Sequence, residues 1–141
     1  MVVVVLIIIL AFLAILAILS TKQDPRLLRL KEKYQTFITK LPPKYDSVKK
    51  NTIISGTYRK GSPGENVNKG EEITVCLDGN DENAMFHIIL HEIAHSSVKE
   101  YDHSSEFWEN YKELTEIAKK EGLYTPGVDK EYCGKRVNDG F

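Results

Sequence analysis

One short segment of the chain combines the residue types that bind a metal ion with one that can activate water. Residues 91–95 read HEIAH and have the form H-E-x-x-H. If the segment is helical, His91 and His95 lie on one face, one turn apart, where both imidazoles can bind the same zinc ion. Glu92 can then accept a proton from a water that zinc has made acidic. Such a water attacks carbonyl carbons, so the predicted chemistry is metal-dependent hydrolysis.

A catalytic zinc ion typically has three protein ligands and one open position, so a third ligand is expected outside the motif. His103 lies eight residues after His95, which is far enough for the helix to end and the chain to turn back. Neutral imidazole suits zinc, and this favours His103 over a carboxylate. Asp102 is an alternative, either as a ligand or as an acceptor for a histidine N–H. The remaining candidates are carboxylates further along the chain: Glu106, Glu109 and Glu113.

Two other polar residues flank the motif. His87 precedes His91 by four residues and continues the same helical face. We expect His87 to lie behind the metal ligands or in solvent, although a shifted ligand pair of His87 and His91 would have the same spacing. Tyr101 is a candidate for stabilising the oxyanion that forms when water attacks a carbonyl.

Helices and strands that would position these residues follow from apolar periodicity and turn residues. A helix begins at Pro25 with Asp24 as its cap, and another, capped by Asn80 or Asp81, contains the motif. A last helix is expected from Ser104 or Ser105 to residue 121, with aromatic residues in the core. Residues 53–58 and 72–77 are predicted strands, and residues 61–70 a loop.

The start of the chain is apolar enough to cross a membrane. Residues 2–19 contain no polar side chain, and about this length spans a bilayer core as a helix. A cleaved signal peptide is the main alternative, but no positive charge precedes the run, which exceeds the usual apolar region of roughly 7–15 residues. We therefore predict a retained single-pass anchor. The positive charges that follow it predict that the rest of the chain lies on the cytoplasmic side.

Charge and cysteine content indicate the surroundings of the chain. Residues 22–60 contain 11 Lys or Arg and 3 Asp or Glu, whereas residues 61–141 contain 8 Lys or Arg and 17 Asp or Glu. A basic segment beside an anchor favours contact with anionic lipid headgroups, and the acidic remainder disfavours nucleic-acid binding, the alternative explanation. In a reducing cytoplasm, Cys76 and Cys133 are expected to be unpaired, each a small buried residue or a free thiol. They could pair only if the predicted orientation is wrong.

Residues 91–124 resemble the SprT-like and WLM zinc metalloproteases. Members of this group have H-E-x-x-H on a helix, a third histidine several residues later and an aromatic-rich helix. Here these features are HEIAHSSVKEYDH and SSEFWENYKELTEIAKKEGLY. The small, anchored form with a Tyr-Cys-Gly tail is similar to WLM-like proteins of large DNA viruses. Metzincins are a poorer match because Val98 stands where their pattern has glycine, and their third histidine comes sooner.

The resemblance implies an α+β, zincin-like fold, in which a small mixed sheet packs on the motif helix and a C-terminal helix. It implies zinc as cofactor, with His91, His95 and His103 as ligands and Glu92 as the general base. Substrate would lie extended along an edge strand, expected at residues 72–77. Family members that act on DNA–protein crosslinks have DNA-binding segments, and none is visible here.

Together these observations predict a chain in three parts. Residues 1–21 are a transmembrane anchor, residues 22–50 a basic juxtamembrane helix and linker, and residues 51–141 a zincin-like domain. The predicted function is a membrane-tethered zinc metalloendopeptidase that hydrolyses protein or peptide substrates. The first alternative is a non-catalytic, zinc-stabilised module that binds a peptide or a partner. The second is a membrane-attached interaction protein in which the motif is incidental.

Overall fold

The chain begins with an apolar helix that buries none of its residues. The computed structural model describes residues 1–20, 23–49 and 52–139, and its first helix, α1, is Val2–Ser20. Its mean hydropathy of 3.7 and its length of 19 residues suit a membrane span. The absence of burial argues against a core helix, whereas a signal sequence would have the same length and composition.

The second helix, α2, contributes to the core of the following domain. It spans Pro25–Ile38, and Asp24 caps it by accepting a hydrogen bond from the Arg26 backbone N–H. Its buried face belongs to the same apolar cluster as the sheet and the motif helix, and consists of Leu27, Leu30, Tyr34 and Phe37. A 3-10 turn at Pro43–Tyr45 and the short helix α3 at Asp46–Lys49 follow.

Three strands form a small mixed sheet. They are β1 at Ile53–Thr57, β2 at Gly64–Val67 and β3 at Glu72–Cys76, in the order β1-β3-β2. β3 pairs in parallel with β1 and antiparallel with β2. The prediction that residues 72–77 form an edge strand is therefore wrong, because β3 is central. The edge strand beside the motif helix is β2, which lies within residues 61–70, predicted to be a loop. The prediction missed this strand because these residues include few of the β-branched and aromatic types that favour strands.

Two helices follow the sheet and meet at the candidate site. Helix α4 is Glu82–Ser96, capped by the Asp81 side chain, and helix α5 is Ser105–Lys120, capped by Ser104. α4 packs against β2, β3, α2 and α5, which explains why most of its surface is buried. Gly122 ends α5 with a φ of 69°, a conformation that glycine adopts without steric cost. The motif helix, its cap at one of the two predicted residues, and the last helix with its end before Gly122 agree with the sequence predictions, and the class is α+β.

A C-terminal hairpin completes the domain. It consists of β4 at Asp129–Tyr132 and β5 at Lys135–Asn138, joined by a turn at Cys133 and Gly134, both with positive φ. A disulfide between Cys76 and Cys133 links this turn to the end of β3. The prediction of unpaired cysteines is therefore wrong, since none is free in the part of the chain that is described. Residues 57 positions apart give no local sign of pairing.

Candidate metal centre

The end of α4 and the loop before α5 bring three histidines together. His91 and His95 lie on one face of α4, and the loop carries His103 back toward them. The Nε2 atom of His103 lies 3.2 Å from Nε2 of His91 and 3.1 Å from Nε2 of His95. The ligand atoms that the three residues offer all lie within 4.8 Å of one another. The three residues that the sequence indicates as ligands thus converge on one point.

The spacing of the three histidines, and the charge state of His91 and His95, suit a metal ion. Two nitrogens bound to a tetrahedral zinc ion at about 2.0–2.1 Å lie roughly 3.3 Å apart, close to the two His103 distances. Burial, reinforced by the neighbouring histidines, lowers the pKa of His91 to about 3 and that of His95 to about 4. Both imidazoles are therefore neutral at pH 7, the form that binds a metal. The residues present fit a metal ion with three nitrogen ligands.

The carboxylates considered as alternative ligands lie elsewhere. Within residues 1–20, 23–49 and 52–139, the converging group contains neither aspartate nor glutamate. Glu113 instead accepts a hydrogen bond of 2.8 Å from the Tyr45 hydroxyl and pairs with Lys44. Asp102, Glu106 and Glu109 are exposed to solvent.

Glu92 lies where two pockets adjoin. The first pocket is lined by His87, His91, His103, Trp108 and residues 135–138 of β5. The second pocket is lined by β2, His95 and Tyr101. Glu92 and Gly64 line both pockets. Burial, with a smaller contribution from Glu65, raises the pKa of Glu92 to about 7. A carboxylate of this kind gains and loses a proton near neutral pH, as general acid–base catalysis requires.

Asn66 connects the edge strand to the motif helix, a role that sequence reasoning missed. Its Nδ2 atom donates to the carbonyl oxygen of Glu92 at 2.7 Å and to Ser96 Oγ at 2.6 Å. Its Oδ1 accepts the Gly70 N–H at 2.7 Å. The surrounding Asn, Lys and Gly residues indicated only a loop, so no local pattern pointed to this contact.

Lys69 stabilises the end of α4 and contacts Tyr101. Its ammonium group donates hydrogen bonds to the carbonyl oxygens of Val98 and Glu100, where a cation favourably meets the negative end of a helix. The same Nζ lies 4.2 Å from the centre of the Tyr101 ring. Tyr101, the candidate oxyanion stabiliser, is 85 % exposed and lines the second pocket.

His87 is buried behind the three histidines. It is 4 % exposed, so the expectation that it could lie in solvent is wrong. Its Nδ1 atom lies 2.9 Å from Asp139 Oδ1, and it is not part of the converging group. The shifted ligand pair is therefore not formed. Asp139 was not singled out in the sequence, because it follows a hairpin that only the tertiary structure brings to α4.

Aromatic side chains of α5 surround the histidines. The Phe107 ring packs on His95 with centroids 4.5 Å apart, and the Trp108 ring lies 5.1 Å from that of His103. Phe107 is fully buried, as predicted for a core residue, whereas half-buried Trp108 also lines the first pocket. These rings restrict the histidine side chains to the converging arrangement.

Comparisons of the chain with protein-family models, with curated proteins and with solved structures find no match.

Proposed function

We propose that the chain is a zinc-dependent metalloendopeptidase tethered to a membrane. The observation that carries the proposal is the convergence of His91, His95 and His103 beside Glu92, in a cleft bordered by the edge strand β2. Three imidazole ligands suit zinc better than the oxygen-preferring divalent ions. When bound, zinc supplies Lewis acidity, which makes a water ligand acidic and polarises a carbonyl group. The resemblance to SprT-like and WLM metalloproteases points to the same activity.

Glu92 is the proposed general base. Its carboxylate accepts a proton as the water oxygen forms a bond to the peptide carbonyl carbon. The same carboxyl group then gives a proton to the leaving nitrogen as the carbon–nitrogen bond breaks. The position of Glu92 at the junction of both pockets supports this role, because a substrate that crosses the junction passes its side chain.

An extended protein or peptide segment is the proposed substrate. β2 pairs with β3 along one side, and its other side has no strand partner among the described residues. An unpaired strand edge offers backbone donors and acceptors to an added strand. Residues of β2 line the second pocket together with Glu92 and His95. β2 therefore replaces residues 72–77 as the strand along which substrate would bind.

The membrane tether is α1, and the disulfide argues against the predicted orientation. The positive charges after α1 favour a cytoplasmic domain, but disulfides persist in oxidising compartments. Two of these charges also serve the fold, since Arg26 pairs with Asp24 and Arg29 with Glu82. We therefore propose that the domain faces the non-cytoplasmic side. Contact of the basic segment with anionic headgroups stays a prediction, which liposome binding compared with duplex DNA binding at equal salt would test.

The decisive experiment measures proteolysis and zinc content together. The chain of residues 1–141, purified in detergent and loaded with zinc, is incubated with unfolded β-casein. Glu92→Gln is compared with wild type and with Glu32→Gln, which makes the same change on an exposed face of α2. We expect Glu92→Gln to keep its zinc but cut about 10²–10⁴ times more slowly, while Glu32→Gln matches wild type.

Two outcomes would contradict the proposal. Cleavage by Glu92→Gln at the wild-type rate would mean that Glu92 is not the general base. A wild-type chain that holds zinc and binds β-casein without cutting it would be the non-catalytic, zinc-stabilised binding module.

A further inference from the structure

His87 and Asp139 form a hydrogen-bonded pair in the wall of the cleft. His87 lies on α4, one helical turn before His91, and its Nδ1 atom is 2.9 Å from Asp139 Oδ1. The ring lines the first pocket, the one that also contains His91 and Glu92. The pair is therefore close to the metal centre but separate from the three converging histidines.

Several donors hold the Asp139 carboxylate in its ionised form. Oδ1 accepts hydrogen bonds from the hydroxyl groups of Tyr111 and Tyr124 at 2.8 and 2.5 Å, and Oδ2 accepts the Gly127 N–H at 2.5 Å. Burial alone would raise the pKa of Asp139, but the two tyrosine hydroxyls and the Gly127 N–H outweigh it, and the pKa lies below its ordinary value. Asp139 is consequently a hydrogen-bond acceptor at neutral pH.

The charge on Asp139 determines which nitrogen of His87 carries the proton. The Tyr111 and Tyr124 hydroxyls also lie 2.9 and 3.2 Å from Nδ1, but both donate their protons to Asp139 Oδ1. A carboxylate can only accept, so this arrangement favours a proton on Nδ1. Burial lowers the pKa of His87 despite the opposing influence of Asp139, which favours the neutral ring. In a neutral ring with a proton on Nδ1, the Nε2 atom has a free lone pair.

We propose that His87 is a substrate-binding residue whose Nε2 atom accepts a hydrogen bond from a backbone N–H of the peptide in the cleft. Asp139 is the positioning residue that fixes the tautomer and the ring orientation. The inference rests on the proposed peptidase function and adds a contact outside the metal site. It assigns the C-terminal hairpin a part in substrate binding, since this hairpin leads directly to Asp139.

A purely structural role would not require this arrangement. Asp139 already accepts hydrogen bonds from Tyr111, Tyr124 and Gly127, so an apolar side chain at position 87 would fill the same space without leaving the carboxylate unpaired. The pair contributes to the fold, but the pocket-lining position of the ring is what a packing role leaves unexplained.

The first part of the test determines the tautomer. Long-range ¹H–¹⁵N NMR spectra of residues 1–141 in detergent micelles identify the protonated nitrogen of His87. We expect the proton on Nδ1 in wild type and a shift toward Nε2 in Asp139→Asn, in which an amide can donate to Nδ1. A wild-type ring protonated on Nε2 would overturn the proposal.

The second part measures binding and turnover. Relative to wild type, we expect His87→Phe and Asp139→Asn to raise KM for β-casein about tenfold, the loss of one neutral hydrogen bond, while kcat changes less than threefold. Asp78→Asn makes the same change as Asp139→Asn at an exposed ion pair with Lys60, so its KM should equal that of wild type. His87→Gln, which presents a side-chain oxygen acceptor, should recover part of the loss.

Binding without turnover separates this inference from the proposed function. In the Glu92→Gln background, the Kd for labelled β-casein should weaken about tenfold when His87→Phe is added. A wild-type chain that binds but never cuts would refute the peptidase proposal and leave this comparison of Kd values valid. Equal Kd and KM values with and without His87→Phe would overturn the role of His87.

Discussion

The Asn66 side chain on β2 donates a hydrogen bond of 2.7 Å to the main-chain carbonyl oxygen of Glu92 on α4. Its Nδ2 atom also lies 2.6 Å from Ser96 Oγ. A single amide thus holds the open edge of the sheet against the residue proposed as general base. This contact would therefore set how far a substrate strand added to β2 lies from Glu92.

Asn66→Ala is expected to weaken both the fold and the proposed activity. It leaves the Gly70 N–H without its acceptor and releases β2 from α4, at about 1–3 kcal/mol of unfolding free energy. Proteolysis should fall while zinc content stays unchanged. Urea unfolding and β-casein cleavage measure the two effects. Asn68→Gly is the control, because it removes an exposed amide at a positive φ that glycine tolerates; an equal loss there would contradict a specific role for Asn66.

His103→Ala should weaken zinc binding by orders of magnitude, because only two imidazoles of the converging group remain. Asp102→Ala changes the neighbouring exposed residue and should bind zinc as tightly as wild type. Competition with a chelator of known affinity gives both dissociation constants. Equal affinities for His103→Ala and wild type would rule out the three-histidine site.

Loss of the disulfide should destabilise the domain strongly. Cys76 and Cys133 are 57 residues apart. In the loop-entropy model, closing a loop of this size lowers the entropy of the unfolded chain and so raises its free energy by about 4 kcal/mol at 25 °C. Cys133→Ser and reduced wild type should therefore unfold at similarly lower urea concentrations than oxidised wild type. If oxidised and reduced wild type unfold together, the bond contributes nothing to stability.

The disulfide also leads to a prediction of membrane topology. A C-terminal epitope tag should resist protease added to the cytoplasmic face of sealed membrane vesicles and become sensitive when detergent opens them. The two cysteines should not react with an alkylating reagent until a reductant breaks the disulfide. Digestion of the tag in sealed vesicles would instead support the cytoplasmic placement expected from the positive charges.

Asp24 should make stability depend on pH. Hydrogen bonds from the Arg26 side chain, the Tyr58 hydroxyl and the Arg26 backbone hold its pKa well below the ordinary value of 3.8. A depressed folded-state pKa stabilises the fold above about pH 4, and this contribution is lost as the pH falls toward the folded-state pKa. Asp24→Asn keeps a capping residue but removes the charge.

Urea unfolding at pH 7 and at pH 3 tests this prediction. The variant should be less stable than wild type by about 1 kcal/mol at pH 7, and the difference should shrink at pH 3. A difference that is constant with pH would mean that the charge on Asp24 is not its source.

Sequence alone indicated the features that depend on neighbours along the chain, although it left Asn80 or Asp81 open as one cap and Ser104 or Ser105 as the start of the last helix. Asp24, Asp81 and Ser104 cap the helices because a side-chain oxygen reaches a backbone N–H two or three residues ahead. The spacing of His91 and His95 places them on one face of α4 for the same local reason. His103 is within reach because a short loop can return it to the helix end.

Contacts between distant segments were decided by the tertiary structure. β2 has little strand propensity of its own and exists because it pairs with β3, which makes it, and not residues 72–77, the edge beside the site. Cys76 meets Cys133, and His87 meets Asp139, through a hairpin that folds back over 50 residues of chain. No local pattern encodes such pairs, because each contact stabilises the fold only after the packed core has brought the two distant partners together.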